Sequence, residues 1–261
     1  MGHGVDTIRG ARRLLLLLLV AAPALSAEPK RTLTVAAAAN LKGAAEELKA
    51  AFEKDQPGVG IALTLGASGT FFAQLQQGAP FDLFLSADRD YPARLIALKM
   101  AAAADERVYA FGKLAAWLPP GSTVPLQAKG LSALADPGVK RIAIANPAVA
   151  PFGRATVAAF KAAGVYPAVK DKLVLGQSVG QAAQFATTGA ADVAFLPRSL
   201  IAGELAAGQI VLVPEALSPR IEQSGVVLAA AREPALARAF LAFLTGEKGR
   251  AILARSGYGL P

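Results

Sequence analysis

The sequence predicts an α/β protein of two lobes, each a mixed, mostly parallel sheet flanked by helices. Three observations carry this. β-rich apolar runs alternate with segments of helical spacing along nearly the whole chain. Four of these runs end on a small polar or glycine residue where a helix-like segment begins: TVAAAAN at 34–40, ALTLGASGT at 62–70, IAIANPAVAPFG at 142–153 and VLGQSVG at 174–180. The strand–helix rounds also fall into two series, separated by a long apolar stretch at 108–117 that ends in Pro119-Pro120-Gly121.

Residues 1–27 are expected to be a signal peptide outside the fold. Arg9, Arg12 and Arg13 precede the apolar run 14–22, and small residues follow at Ala24, Ser26 and Ala27. The run is too short to span a bilayer. Cleavage is expected after Ala27, with Ala24 as the competing site. A lipid anchor needs a cysteine, and the chain has none.

The first series begins with an apolar strand at 33–39. A helix follows at 41–54, with Leu41, Ala44, Ala45, Leu48 and Phe52 at helical spacing. Gln56-Pro57-Gly58 breaks it. A strand at 59–65, a short helix at 70–77, a turn at Gly78-Ala79-Pro80 and a strand at 81–86 come next, and Ala87-Asp88 opens another helix. The stretch 108–117 reads as one strand crossing to the second lobe. There the expected order is strand 141–145, helix 154–163, strand 172–175, helix 180–188, strand 192–196, helix 199–206 and strand 209–213. An apolar strand at 223–229 and helices at 234–244 and 247–256 close the chain. Length and composition alone do not show where the chain crosses back to the first lobe.

Absent residues exclude function classes. The only histidine is His3, inside the expected leader. Residues 28–261 therefore offer no Ser-His-Asp or Cys-His catalysis and no His-ligated zinc. Without cysteine there are no disulfides, which a core of this size permits. The formal charge of +8 falls to +6 when three Arg and one Asp leave with residues 1–27. That field speeds the arrival of an anion. Lys and Arg are scattered singly, without interleaved aromatics, so no nucleic-acid partner is expected.

Strand-to-helix turns of a wound sheet gather on one side, where helix N-termini present backbone N–H groups to an anion. The four turns supply the candidates. Asn40 either caps the following helix or turns its amide or backbone N–H to a ligand. Ser68, in Gly66-Ala67-Ser68-Gly69-Thr70, fits neither a nucleophile elbow nor a phosphate loop. Thr70 replaces the second elbow glycine, and no Lys follows. It belongs either to a capped turn or to a ligand-facing one. Prolines leave Phe152 and Gly153 as the N–H donors before the 154–163 helix. Ser178 opens the next helix, as an N-cap or at a ligand. Asp82 and Asp88 read as structural and capping residues, because no third acidic or imidazole ligand lies near them.

At these residues the chain resembles the periplasmic molybdate-binding proteins of ABC transporters. The matching stretches are VAAAANL at 35–41, GASGTFFAQLQQGAPFDLFLSAD at 66–88, IANPAVAPFG at 144–153, GQSVGQAAQFATTGAADVAFLPRS at 176–199 and SGYG at 256–259. The resemblance covers essentially all of 28–261, and the 66–88 block is its most specific part. It implies a type II periplasmic-binding fold with two crossing strands, which sets expected boundaries of 28–112 plus 226–261 for lobe one and 113–225 for lobe two, and a tetrahedral oxyanion, molybdate or tungstate, in the cleft. It implies ligand contacts from Ala39, Asn40 and Ser68 in lobe one, and from the backbone at Phe152 and Val179 in lobe two. It further implies no cofactor, no enzymatic activity, a monomer in the periplasm, and delivery to an inner-membrane ABC permease with its cytoplasmic ATPase. Molybdenum or tungsten enters only as the bound oxyanion. Two positions depart from the pattern: Ala39 stands where some relatives carry a hydroxyl, and Leu196 where some carry a tyrosine. The rival readings are a binding protein for sulfate or another oxyanion, and an exported enzyme using Asp82, Asp88 or Glu222 as general base.

Overall fold

Apolar strand cores and short polar turns build two sheets of five strands each, in a computed structural model that describes Met1 and residues 31–261. Apart from Met1, the expected signal peptide lies outside the described residues. β1 (Arg31–Ala38) leads through a 3-10 turn (Ala39–Leu41) into α1 (Lys42–Asp55). β2 (Val59–Gly66) leads into α2 (Ser68–Gln76), and β3 (Leu83–Ser86) into α3 (Asp90–Ala97). β4 (Ala101–Gly112) and β5 (Leu114–Leu118) follow. The second lobe continues with α4 (Leu126–Lys129), β6 (Ile142–Ala145), α5 (Pro151–Ala162), α6 (Tyr166–Val169), β7 (Leu173–Gly176), α7 (Val179–Thr187), β8 (Val193–Pro197) and β9 (Gln209–Leu212). β10 (Ile221–Leu228), α8 (Pro234–Thr245) and α9 (Glu247–Arg255) end the chain.

The two sheets repeat one plan. Their strand orders are β2-β1-β3-β10-β4 and β7-β6-β8-β5-β9. The three strands at one end of each sheet are parallel, and the fourth, β10 or β5, runs against them. β1 and β3 are central and covered on both faces, so Leu33, Val35, Ala36, Ala37, Leu83 and Phe84 are fully buried. One side of the first sheet packs on α1, α8 and α9, and the other on α2 and α3. The second lobe has its own core around Trp117, Phe160 and Phe195. Among the described residues no helix is long and apolar enough to cross a membrane.

Three expectations need correction. The stretch 108–117 is not one crossing strand: the chain leaves the first sheet at Gly112 and enters the second at Leu114. β4 also starts at Ala101, because pairing with β10 overrides the helical propensity of its alanines. The return falls between Leu212 and Ile221, before the expected boundary at 225/226, since all of β10 pairs in the first sheet. The expected helix 199–206 is two short 3-10 turns, Arg198–Leu200 and Gly203–Ala207.

Asp82 takes a structural place. Its Oδ2 accepts from Thr34 N–H at 2.8 Å and Thr34 Oγ1 at 2.6 Å, and its Oδ1 from the N–H groups of Arg232 at 2.7 Å and Glu233 at 3.1 Å. This ties β1 to the turn before α8. Burial alone would raise the carboxyl, but these hydrogen bonds together hold it below its ordinary value.

Candidate functional site

The carboxyl ends of five parallel strands meet between the lobes around one small cavity. After β1 it is lined by Ala38, Ala39 and Asn40; after β2 by Gly66, Ala67 and Ser68; and after β3 by Ala87. Lobe two contributes Ala150, Pro151 and Phe152 after β6, and Val179 after β7. All five residues singled out by the resemblance lie in this lining, which contains no Lys, Arg, His, Asp or Glu. The space is about 10 Å³, roughly one water-sized sphere.

Lobe two faces the cavity with helix N-termini. α5 starts at Pro151, whose missing N–H and fixed φ suit a first helical position. The first closing bond runs from Arg154 N–H to Ala150 O at 3.1 Å, so Phe152 and Gly153 have no intrahelical acceptor. Gly153 lets this turn lie on β6, because a Cβ there would strike the Ala145 carbonyl. Ser178 is the N-cap of α7: its Oγ accepts from Gln181 N–H at 3.3 Å. Ala182 N–H bonds Ser178 O, which leaves the N–H groups of Val179 and Gly180 over. The buried Phe152 ring carries no hydrogen-bond donor, so only its backbone can donate. Leu196 is fully buried in the second core, outside the cavity lining.

Lobe one offers a hydroxyl as well. Ser68 is the first residue of α2, not its cap; the N-cap is Ala67, without a side-chain bond. Ser68 is 1% exposed, and its Oγ accepts from Ala87 N–H at 3.0 Å. That bond occupies a lone pair and leaves the hydroxyl proton free for another acceptor.

Asn40 departs from its capping reading. It sits inside the 3-10 turn and makes no capping bond. Its Nδ2 donates to Gln223 Oε1 at 2.8 Å and to Tyr258 OH at 2.9 Å, so the amide N–H₂ is engaged inside the protein. Its carbonyl accepts from Tyr258 OH at 2.8 Å and from Ser199 Oγ at 3.1 Å. Tyr109 OH lies 3.1 Å from both Ser86 O and Gln223 Oε1. Asn40 Oδ1 and Gln223 Nε2 are buried without partners. Burial pushes the phenols of Tyr109 and Tyr258 up, so both remain neutral donors. Tyr109, Gln223 and Tyr258 received no role from sequence reasoning; the available signals were a lone glutamine in an apolar strand and the tyrosine of SGYG.

The carboxylates proposed for an enzyme lie elsewhere. Asp82 is saturated by its four donors, Asp88 pairs with Arg154, and Glu222 lies near Arg89 and Arg220. Asp88 also accepts from Ser86 Oγ at 3.0 Å and Tyr91 N–H at 3.4 Å at the start of α3, as a capping residue does. The lining thus joins neutral dipoles from both lobes, a set suited to holding an anion between them, and the carboxylates that a hydrolase would use lie outside it.

Comparison with known proteins agrees. The family model described as "Bacterial extracellular solute-binding protein" matches residues 33–259, and the chain belongs to that family. It is 35% identical to the molybdate-binding protein ModA of Rhodobacter capsulatus over 254 residues, covering 97% of each chain. It is 36% identical to ModA of Azotobacter vinelandii over 228 residues, covering 87% of this chain and 89% of the relative. The solved Azotobacter vinelandii periplasmic molybdate-binding protein superposes with a TM-score of 0.81 at 34% identity, over 88% of this chain and 99% of that one.

Proposed function

We propose that this chain is a periplasmic solute-binding protein that captures molybdate, and also tungstate, between its lobes and hands it to an ABC transporter. It binds and does not catalyse. The observation that carries this reading is the convergence of Ser68 Oγ–H with the helix N-termini at Phe152 and Val179 on one cavity without charged side chains. The Ala39–Leu41 turn adds N–H groups without intrahelical acceptors, so Ala39 and Asn40 contribute through their backbone. Asn40 has a second mode. A half-turn of the Asn40 and Gln223 amides keeps a hydrogen bond between them and carries Asn40 Nδ2 to the side now held by Oδ1.

A dianion entering this space loses its hydration, and about five to seven neutral donors replace it. Hydrogen bonds to a charged partner are worth about 1.5–3 kcal/mol each. After closure costs, affinities from micromolar to nanomolar follow, about −8 to −12 kcal/mol. Phosphate monoanion is disfavoured because its P–OH needs an acceptor. Sulfate is disfavoured because donors fixed on rigid helix ends do not follow its shorter bonds. No cofactor is needed, the protein acts as a monomer, and its partner is an inner-membrane permease with a cytoplasmic ATPase.

A thermal-shift panel of molybdate, tungstate, sulfate, phosphate and small organic acids tests this. At a concentration about 100 times Kd, a ligand of the native state adds about 2.7 kcal/mol, a rise of roughly 5–10 °C for a chain of this size. Molybdate and tungstate are expected to give that rise at micromolar levels. A larger rise with sulfate assigns the site to sulfate, and no rise with any oxyanion rejects the reading.

A further inference from the structure

Along one rim of the cavity, each lining segment has a chain neighbour that reaches the other lobe. Asp88 follows Ala87, Arg154 lies two residues after Phe152, Gly69 follows Ser68, and Val149 precedes Ala150. Arg154 Nη2 pairs with Asp88 Oδ2, and Arg154 Nη1 donates to Tyr91 OH at 3.1 Å. Gly69 N–H donates to Val149 O at 2.8 Å. The lobes approach so closely that a Cβ on Gly69 would lie 2.9 Å from both the Cα and the O of Val149. Among the described residues, Asp88–Arg154 is the one ion pair that joins the two sheets' lobes; the others join parts of lobe one or its return segment. Ser199 Oγ to Asn40 O, also between the lobes, is a neutral bond.

We propose that Asp88, Arg154 and Tyr91 form a clasp that holds the lobes closed and sets how long the captured anion stays. They are positioning residues: none lines the cavity. The Asp88 side chain is 14% exposed, so its ion pair is partly shielded from water and from salt. Arg154 sits in the first turn of α5, so the clasp fixes the helix end that presents the Phe152 and Gly153 N–H groups to lobe one. Arg154 spends its charge on Asp88, which keeps the cradle neutral overall. Opening must break the ion pair, the Tyr91 bond and the Gly69–Val149 bond together, so the clasp acts on departure more than on arrival. The identity of the trapped anion rests on the function proposed above; the clasp does not.

The chain's lack of cysteine makes the test direct. Gln74→Cys on α2 and Ala162→Cys on α5 place one spin label on each lobe at exposed positions. Distance distributions are recorded with and without molybdate, and dissociation is followed by chasing radiolabelled molybdate. Asp88→Asn, which retains polar contacts to Ser86 and the Tyr91 N–H, is expected to lengthen the ligand-free distance and speed dissociation about tenfold, with association changed less than threefold. Tyr91→Phe removes only the hydroxyl and is expected to move both readouts less, in the same direction. The exchange Asp88→Arg with Arg154→Asp is expected to restore part of the slow release. Unchanged distances with dissociation within twofold in Asp88→Asn and Tyr91→Phe overturn the clasp. If molybdate fails to bind the parent protein, the proposed ligand falls, and the label distances still decide the clasp.

Discussion

The two lobes furnish the cavity by different means. Lobe one supplies a side-chain hydroxyl on Ser68, with Asn40 held behind it by Gln223 and Tyr258. Lobe two supplies backbone only, the N–H groups at the starts of α5 and α7. A hydroxyl disappears with one substitution, whereas a backbone donor is lost only when its helix end moves or its residue becomes proline. The lobe-two half is therefore the more tolerant of side-chain change and the more sensitive to backbone position.

Substitutions can break or sharpen this contrast. The largest effect is expected for Gly153→Ala, whose Cβ collides with the Ala145 carbonyl and lies 2.9 Å from Pro147 N, displacing the start of α5. Calorimetry should find molybdate affinity lowered more than 100-fold, with about 1–3 kcal/mol of stability lost to overpacking. Val179→Pro is cleaner. Proline is accepted at the first helical position, and the extended Ser178 before it (φ −145°, ψ 170°) is compatible with a following proline. It deletes one N–H, so affinity should fall by about 1.5–3 kcal/mol while the melting temperature of the free protein changes little. Ser68→Ala should cost about 1–3 kcal/mol of affinity. An unchanged Kd would remove that hydroxyl from the ligand shell.

pH should separate binding from stability. No proposed donor titrates between pH 6 and 8, so Kd should stay nearly constant there, and a steep profile would reveal a charged ligand contact. Stability should respond at lower pH. Asp82 is held below its ordinary value of 3.8, so its contribution is present above about that pH and is lost as pH falls through the lowered value. Asp88 is raised, by burial opposed by Arg154, so its ionisation works the other way. Acid titration of Asp82→Asn against the parent should show the first contribution missing.

Much of this was legible because it is local. An apolar run ending in a small residue before a helix fixes a strand-end turn, and the wound sheet brings such turns together; Ser68, Phe152 and the start of α7 at Ser178 were reachable that way, while Val179 came from the family resemblance. The break at Lys113 was not, since Val108 through Trp117 is apolar almost throughout and only pairing shows where the sheets change. The partners of the Asn40 amide, Gln223 and Tyr258, were not legible because they lie 183 and 218 residues away. Asp88 and Arg154 are 66 apart and on different lobes, so their spacing carries no signal.

The central claim is that neutral dipoles from both lobes replace the water around one doubly charged guest. A crystal structure of the protein with molybdate, with the metal located by anomalous scattering, tests it most directly. The expected result is a molybdenum atom between Ser68 Oγ and the N–H groups at Phe152 and Val179, with oxygens about 2.7–3.1 Å from these donors and no Lys or Arg in contact. A metal site held by Arg154, Lys42 or Arg198, or one away from this cavity, would contradict it.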